Sequence, residues 1–274
     1  MNAAVAAALL MSTAALAAEV KRLPDRSPPP TTASLRAHVI ADEDLDPDAL
    51  RALARPGVSL WLRTRSNTLR DSTLETARQF ESAFVELRAP LDEKALPQLA
   101  RAPATGIWLR PKATEALPAL KPGPIKLAIS IDGSLDEVRA AAIARLSPAF
   151  VEWRAGASQA DLLGWSLFIN LPGKLLFRPA TDAVAPVDCA RPGRRAVAVA
   201  VHVALLLSLG KDAFPCGKGA RIRLSAETEP WVVQSLHVSD PSKEIELEVG
   251  GDLAKVRKAR QLFDALGMLP ARPR

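Results

Sequence analysis

The sequence predicts an α/β fold in which parallel strand-helix repeats form an open arc or a small or partial (β/α) barrel, followed by an α+β C-terminal region. Three observations carry this expectation. Short apolar strand cores recur at roughly 20 to 25 residues, the spacing of stacked strand-helix units. The segments between them carry helix-start chemistry and apolar residues three apart, so each helix shows a sheet one apolar stripe. The rhythm breaks at Pro172-Gly173, and the remainder has a different pattern.

His38-Val39-Ile40-Ala41 begins the series. The strand cores that follow are Val58–Arg63, Phe84–Arg88, Gly106–Arg110, Lys126–Ser130 and Phe150–Arg154, with Leu167–Leu171 extending them. Between them, Asp46 precedes Pro47, and Ser72 and Ser134 are each followed three residues later by Glu75 and Glu137, the spacing of a capping box. Apolar pairs such as Leu50/Leu53, Leu96/Leu99, Leu117/Leu120 and Ile143/Leu146 supply the stripes. Strands joined through a helix and short loops run parallel, because the crossover returns the chain to the same end of the sheet.

After residue 171, the segments Leu167–Leu171 and Lys174–Arg178 read as a hairpin around Pro172-Gly173. Ala196 to Leu209 reads as a buried core element, too short to span a bilayer. Arg221–Ala226, Trp231–Val238 and Glu244–Val249 read as strands, and Asp252 to Leu266 as a final helix. Leu247 between Glu246 and Glu248 suggests an antiparallel strand with one wet face. The domain expectation is therefore a βα repeat domain over 35–171 and an α+β lobe or cap over 172–274.

The pattern Leu96-Pro-Gln-Leu99 leading to Ile107-Trp-Leu109 resembles leucine-rich repeats over roughly half the chain. The Asn that such repeats place three residues after the second strand Leu is replaced by Arg65, Pro90 and Lys112, so the resemblance implies an arc and no family function.

The N-terminus bounds the compartment. Ala3 to Leu16 is an uncharged apolar run closing in Ala15-Leu16-Ala17, the small-x-small pattern of a signal-peptide cleavage site. Cleavage after Ala17 leaves a Pro- and charge-rich linker over 18–34 and directs the chain to the periplasm or the exterior of a bacterial cell. In that setting the two cysteines, Cys189 and Cys216, are expected to form a disulfide. With three scattered histidines there is no metal-ligand pattern, and no Gly-rich loop or nucleophile elbow points to a cofactor or a named reaction. The formal charge of +6 is spread over scattered Arg without a basic block, which favours anionic surfaces generally and gives no specific nucleic-acid signal.

Alternation along the strands sharpens the functional expectation. Leu60/Leu62, Val85/Leu87, Ile107/Leu109, Leu127/Ile129 and Val151/Trp153 face the helices, leaving Trp61/Arg63, Glu86/Arg88, Trp108/Arg110, Ala128/Ser130 and Glu152/Arg154 on the opposite face. This Arg/Trp/Glu-lined inner face reads as a binding surface of an exported binding or structural module. Its partner is an anionic ligand, a glycan or an envelope protein, held by Arg63, Arg88, Arg110 and Arg154 with Trp61 and Trp108 as flat contacts. Cross-strand ion pairing around Glu86 and Glu152 is the competing structural account. The alternative function is a barrel-type envelope hydrolase with Glu86 and Glu152 as acid/base pair and Asp132 as an accessory carboxylate. His202 reads as a core residue within an apolar run.

Overall fold

The computed structural model describes residues 35–65, 70–87, 95–100, 102, 105–111, 117, 125–156, 162–180, 197–204, 221–225, 227–239 and 243–268. All lie within one compact unit, Thr32–Arg274. The expected leader (1–17), linker (18–34), Arg88, Cys189 and Cys216 fall outside the described residues.

Ten described strands run in chain order: β1 Arg36–Asp42, β2 Val58–Arg63, β3 Ser82–Leu87, β4 Thr105–Leu109, β5 Leu127–Asp132, β6 Phe150–Ala155, β7 Lys174–Pro179, β8 Ala198–His202, β9 Arg221–Leu224 and β10 Glu244–Gly250. Seven described helices lie between and after them: α1 Pro47–Arg51, α2 Asp71–Ala77, α3 Ala95–Ala100, α4 Glu137–Leu146, α5 Leu162–Ile169, α6 Pro230–Ser239 and α7 Leu253–Ala265. Each strand pairs in parallel with its sequence neighbours, and β10 pairs in parallel with β1, so the sheet is a closed barrel. The fold is therefore a mixed α/β barrel of ten parallel strands, and the open, leucine-rich-repeat-like arc is corrected. Closure leaves no free edge, whereas an arc keeps two.

Closure also corrects the expected α+β region. Residues 172–274 contribute β7 to β10 to the same barrel. The stretch expected as a strand at Leu167–Leu171 lies mostly in α5, so Pro172-Gly173 is a helix-to-strand turn and not a hairpin. Gly173 (φ 82°) makes this turn pass against Pro148 and Ala149, where a Cβ would meet the Pro148 carbonyl oxygen at 2.3 Å. Trp231–Val238 lies in α6. Its buried residues Val232, Val233 and His237 recur at helical spacing, and Pro230 pre-sets the first turn. In β10 the Glu side is the barrel interior, with Glu246 only 3% exposed, so the wet-face antiparallel strand is corrected as well.

Helix starts follow short-range chemistry. Asp46 caps α1 by accepting from the Asp48 N–H at 3.1 Å, with Pro47 at the first position. For α4 the cap is Asp136, accepting from Arg139 N–H at 2.8 Å, and not Ser134. Ser72 sits inside α2, whose N-cap Arg70 makes no side-chain bond. Asp252 caps α7 through the Ala254 N–H at 2.7 Å.

The barrel has an outer and an inner core. Outside, Leu60, Leu62, Val85, Leu87, Ile107, Leu109, Ile129, Val151 and Trp153 lie in apolar clusters that take in helix residues such as Leu50, Leu74, Ile143, Phe168 and Phe263. Inside, Ile40, Trp61, Phe84, Trp108, Ala128, Phe150, Leu176 and Ala200 form a plug. Barrel diameter grows with strand number, so ten strands enclose more space than branched aliphatics fill in an eight-stranded barrel. Aromatic rings fill it here. Trp61 stacks on Phe84 at 4.6 Å and meets Trp108 and Phe150 edge-on at 5.2 and 5.1 Å. The Phe84 ring lies against Gly106 so closely that a Cβ there would meet it at 2.8 Å.

Candidate functional site

Side chains that alternate inward along parallel strands stand in tiers along the barrel axis. Below the plug, at the N-terminal ends, His38 Nδ1 accepts from Trp61 Nε1–H at 3.0 Å. Its proton therefore sits on Nε2, which donates to Glu244 Oε2 at 2.8 Å. Arg221 reaches the same carboxylate oxygen at 3.1 Å and Lys174 approaches Glu244 at 3.9 Å. The Arg221 guanidinium also lies over the Phe150 ring at 5.0 Å. Across the tier, Ser59 and Ser82 share a hydroxyl hydrogen bond of 2.8 Å.

Above the plug, Trp108 Nε1–H donates to Ser130 Oγ at 2.8 Å, and Ser130 donates to Glu152 at 2.9 Å. Arg178 Nε–H donates to the other oxygen of Glu152. The two terminal nitrogens of Arg178 form a fork on Glu246, at 2.9 and 2.7 Å. Glu246 also lies 3.7 Å from Arg223 and 4.0 Å from Arg221, so the upper and lower tiers join through one carboxylate. Nearer the rim, Arg110 pairs with Glu86 at 3.5 Å and lies over the Trp108 ring at 5.0 Å. Arg63 pairs with Glu248 at 2.8 Å and Asp42 at 3.8 Å.

Protonation follows from this pairing. Burial pushes Glu246 upward, but Arg178 and Arg221 outweigh it and hold the carboxyl down at about 2. Burial likewise opposes the ionised form of Glu244, which His38 and Arg221 nonetheless hold below the ordinary carboxylate range. Arg178 is held above its usual value, because Glu152 and Glu246 outweigh the cost of its burial. His38 is lowered, first by burial and then by the Arg221 cation, with Glu244 opposing.

The residues singled out from sequence fall at three levels. Trp61 and Trp108, each 4% exposed, belong to the plug, so neither offers a ring face to solvent. Glu86 and Glu152 are buried beside cations. Glu152 accepts from both Arg178 and Ser130, so both of its carboxylate oxygens are engaged. Arg63, Arg110, Arg154 and Asp132 stand at the C-terminal mouth. Arg154 is exposed and forms no side-chain hydrogen bond or ion pair among the described residues. Arg88 lies outside the described residues.

Sequence reading missed the centre of this network. Arg178, Arg221, Arg223, Glu244 and Glu246 alternate with apolar residues just as Glu86 and Glu152 do, and that period was the available signal. His202 ends β8 at the mouth, half-buried, and is not a core residue. Among the described residues, no group of three or more His, Cys, Asp or Glu is arranged to hold a metal ion. No described helix is long and apolar enough to cross a membrane.

The geometry defines a charge-paired parallel α/β barrel whose described mouth carries Arg63, Arg110 and Arg154 together with Asp42, Asp132 and Glu248. A comparison with known protein families and with curated proteins found no match to this chain.

Two predictions follow from the pairing. Arg178→Met removes the one cation paired with buried Glu152 among the described residues and leaves buried Glu246 with only its longer contacts to Arg223 and Arg221. It should lower unfolding stability by about 3–5 kcal/mol in urea titration, whereas an effect under about 1 kcal/mol would show that the network is not formed. His38 binds its proton less readily in the folded chain than at the ordinary value of 6.5, so the unfolded state takes up more protons below that pH. Its contribution is complete above pH 6.5 and declines as pH falls through the folded value. The loss of stability between about pH 6.5 and 5 should be smaller in His38→Gln than in the parent, and equal slopes would exclude the assignment.

Proposed function

We propose that the chain is an exported, non-catalytic binding protein that takes an anionic ligand at the C-terminal mouth of its barrel. One observation carries the reading: among the described residues, each buried inward carboxylate is engaged by a cation, while the exposed Arg154 forms no ion pair. Open α/β barrels place their sites where the strands end, and Arg154 stands at that end of β6. Arg63 adds a buried Nε–H with no hydrogen-bond partner among the described residues. Paired carboxylates do not supply the split acid/base pair that glycoside hydrolysis needs, so the hydrolase reading gains no support from Glu86 and Glu152. The Trp61 and Trp108 rings support the mouth from within, and contact with ligand falls to the Arg side chains.

Export rests on the apolar leader and its Ala15-Leu16-Ala17 terminus, with the Cys189–Cys216 disulfide as its companion. Protein recovered from a bacterial periplasm should begin at Ala18 and titrate no free thiol. An intact Met1 and two reactive thiols would overturn export.

Binding is tested by titrating the protein with polygalacturonate and citrate against a neutral glucan. Both anions should bind, weaken as salt is raised, and weaken further by about tenfold in Arg154→Ala. Equal affinity for the neutral glucan, or an unchanged Arg154→Ala variant, would remove the reading.

A further inference from the structure

The mouth is electrically lopsided. On one side, β10, β1, β2, β3 and β4 present Glu248, Asp42, Arg63, Glu86 and Arg110, which pair among themselves. On the other, β6, β7, β8 and β9 present Arg154, Arg178, His202 and Arg223. Register ties the second group together: Arg154 stands beside Arg178, and His202 beside Arg223, which in turn stands beside Glu246. Because Arg178 reaches across to Glu246, its guanidinium lies at the level of Arg223 and His202.

Among the described residues, the carboxylates facing this arc are few. Glu152 and Glu246 are both taken up by Arg178, with Glu246 shared further by Arg223 and Arg221. Asp132 is the register partner of Arg154 on β5, yet no ion pair joins them. Among the described residues, positive charge therefore exceeds negative charge along these four strands. His202 adds a directional donor. Its Nδ1 accepts from the Ala204 N–H at 3.2 Å, which leaves the ring proton on Nε2.

We infer that Arg154, His202 and Arg223, backed by the fixed Arg178, form a subsite for a tetrahedral oxyanion, a phosphoryl or sulfo group carried by the ligand. Donors from three strands approach such a group from different directions. A planar carboxylate is instead served in its own plane by a single guanidinium fork. This subsite rests on the anion-binding reading above and narrows its chemistry.

Calorimetric titration of the full chain with inorganic phosphate, sulfate and acetate at matched ionic strength tests the subsite. Phosphate or sulfate should bind more tightly than acetate, and which of the two binds identifies the source of the group. Arg154→Ala should weaken that binding by about tenfold to a hundredfold, and Arg223→Ala by about tenfold. Arg154→Lys, which keeps the charge and loses the fork, should lie between the parent and Arg154→Ala. Arg51→Ala, on the exposed face of α1, should bind as the parent does. Acetate binding as tightly as phosphate and sulfate, or an unaltered Arg154→Ala variant, would overturn the subsite. If phosphate and sulfate fail while polygalacturonate still binds through Arg154, the subsite falls and the wider reading stands; if all three fail, both fall.

Discussion

Closure of ten parallel strands sets the problem that the rest of the chain solves. Pairing β10 with β1 removes both sheet edges and creates an interior too wide for one layer of branched aliphatics. The plug of Trp61, Phe84, Trp108 and Phe150 fills the middle of that space with large rings, and Gly106 makes room for one of them. Each ring buried from water stabilises the fold by about 1.5–3 kcal/mol, and edge-to-face contact adds to this. Both indole N–H groups point out of the plug and are satisfied, one by His38 below and one by Ser130 above. The plug thus fixes the first polar residue of each tier.

From those two anchors the interior is built of charge pairs. Burying a carboxylate without a partner is costly, so Glu152, Glu244 and Glu246 exist in the barrel only with Arg178, Arg221 and His38 beside them. Apolar residues of similar volume would serve stability as well or better. What the charges add is register. On β7 the outward Leu175 and Phe177 and the inward Leu176 are all fully apolar, so hydrophobicity alone does not distinguish the two faces. A slip of one residue would turn Arg178 into the outer apolar layer, taking from Glu152 its paired cation and from Glu246 its guanidinium fork.

The legible part of the fold was its period. Strand-helix alternation through residue 171 and the inward set Trp61, Glu86, Trp108 and Glu152 follow from spacing of two along each strand, a local property. What decides between an arc and a barrel is one long-range pairing, β1 with β10, and no local pattern encodes it. The C-terminal third was misread for a related reason. A strand with Glu on alternate positions looks solvated when its partners are unknown. In Glu244–Gly250 those partners, Arg178 on β7 and Arg221 and Arg223 on β9, lie far away in sequence. Arg154 was visible as an inward residue, but its lack of an ion pair among the described residues depended on Arg178 having taken Glu152.

That last dependence orders the functional argument. Arg178 uses its Nε and both terminal nitrogens on two carboxylates, and in doing so takes up Glu152, the carboxylate two residues before Arg154 on β6. The same guanidinium that holds the interior carboxylates therefore leaves Arg154 without an ion pair among the described residues. A carboxylate held by a buried guanidinium stays ionised and oriented, which suits a scaffold, whereas an acid/base pair needs two carboxyls whose environments drive their proton affinities apart. Glu246, held at about 2 and fully buried, lies far from a general acid's range. Among the described residues, the exposed Arg154 at the open end forms no ion pair, and a guanidinium in that state is a group that an anionic ligand would engage.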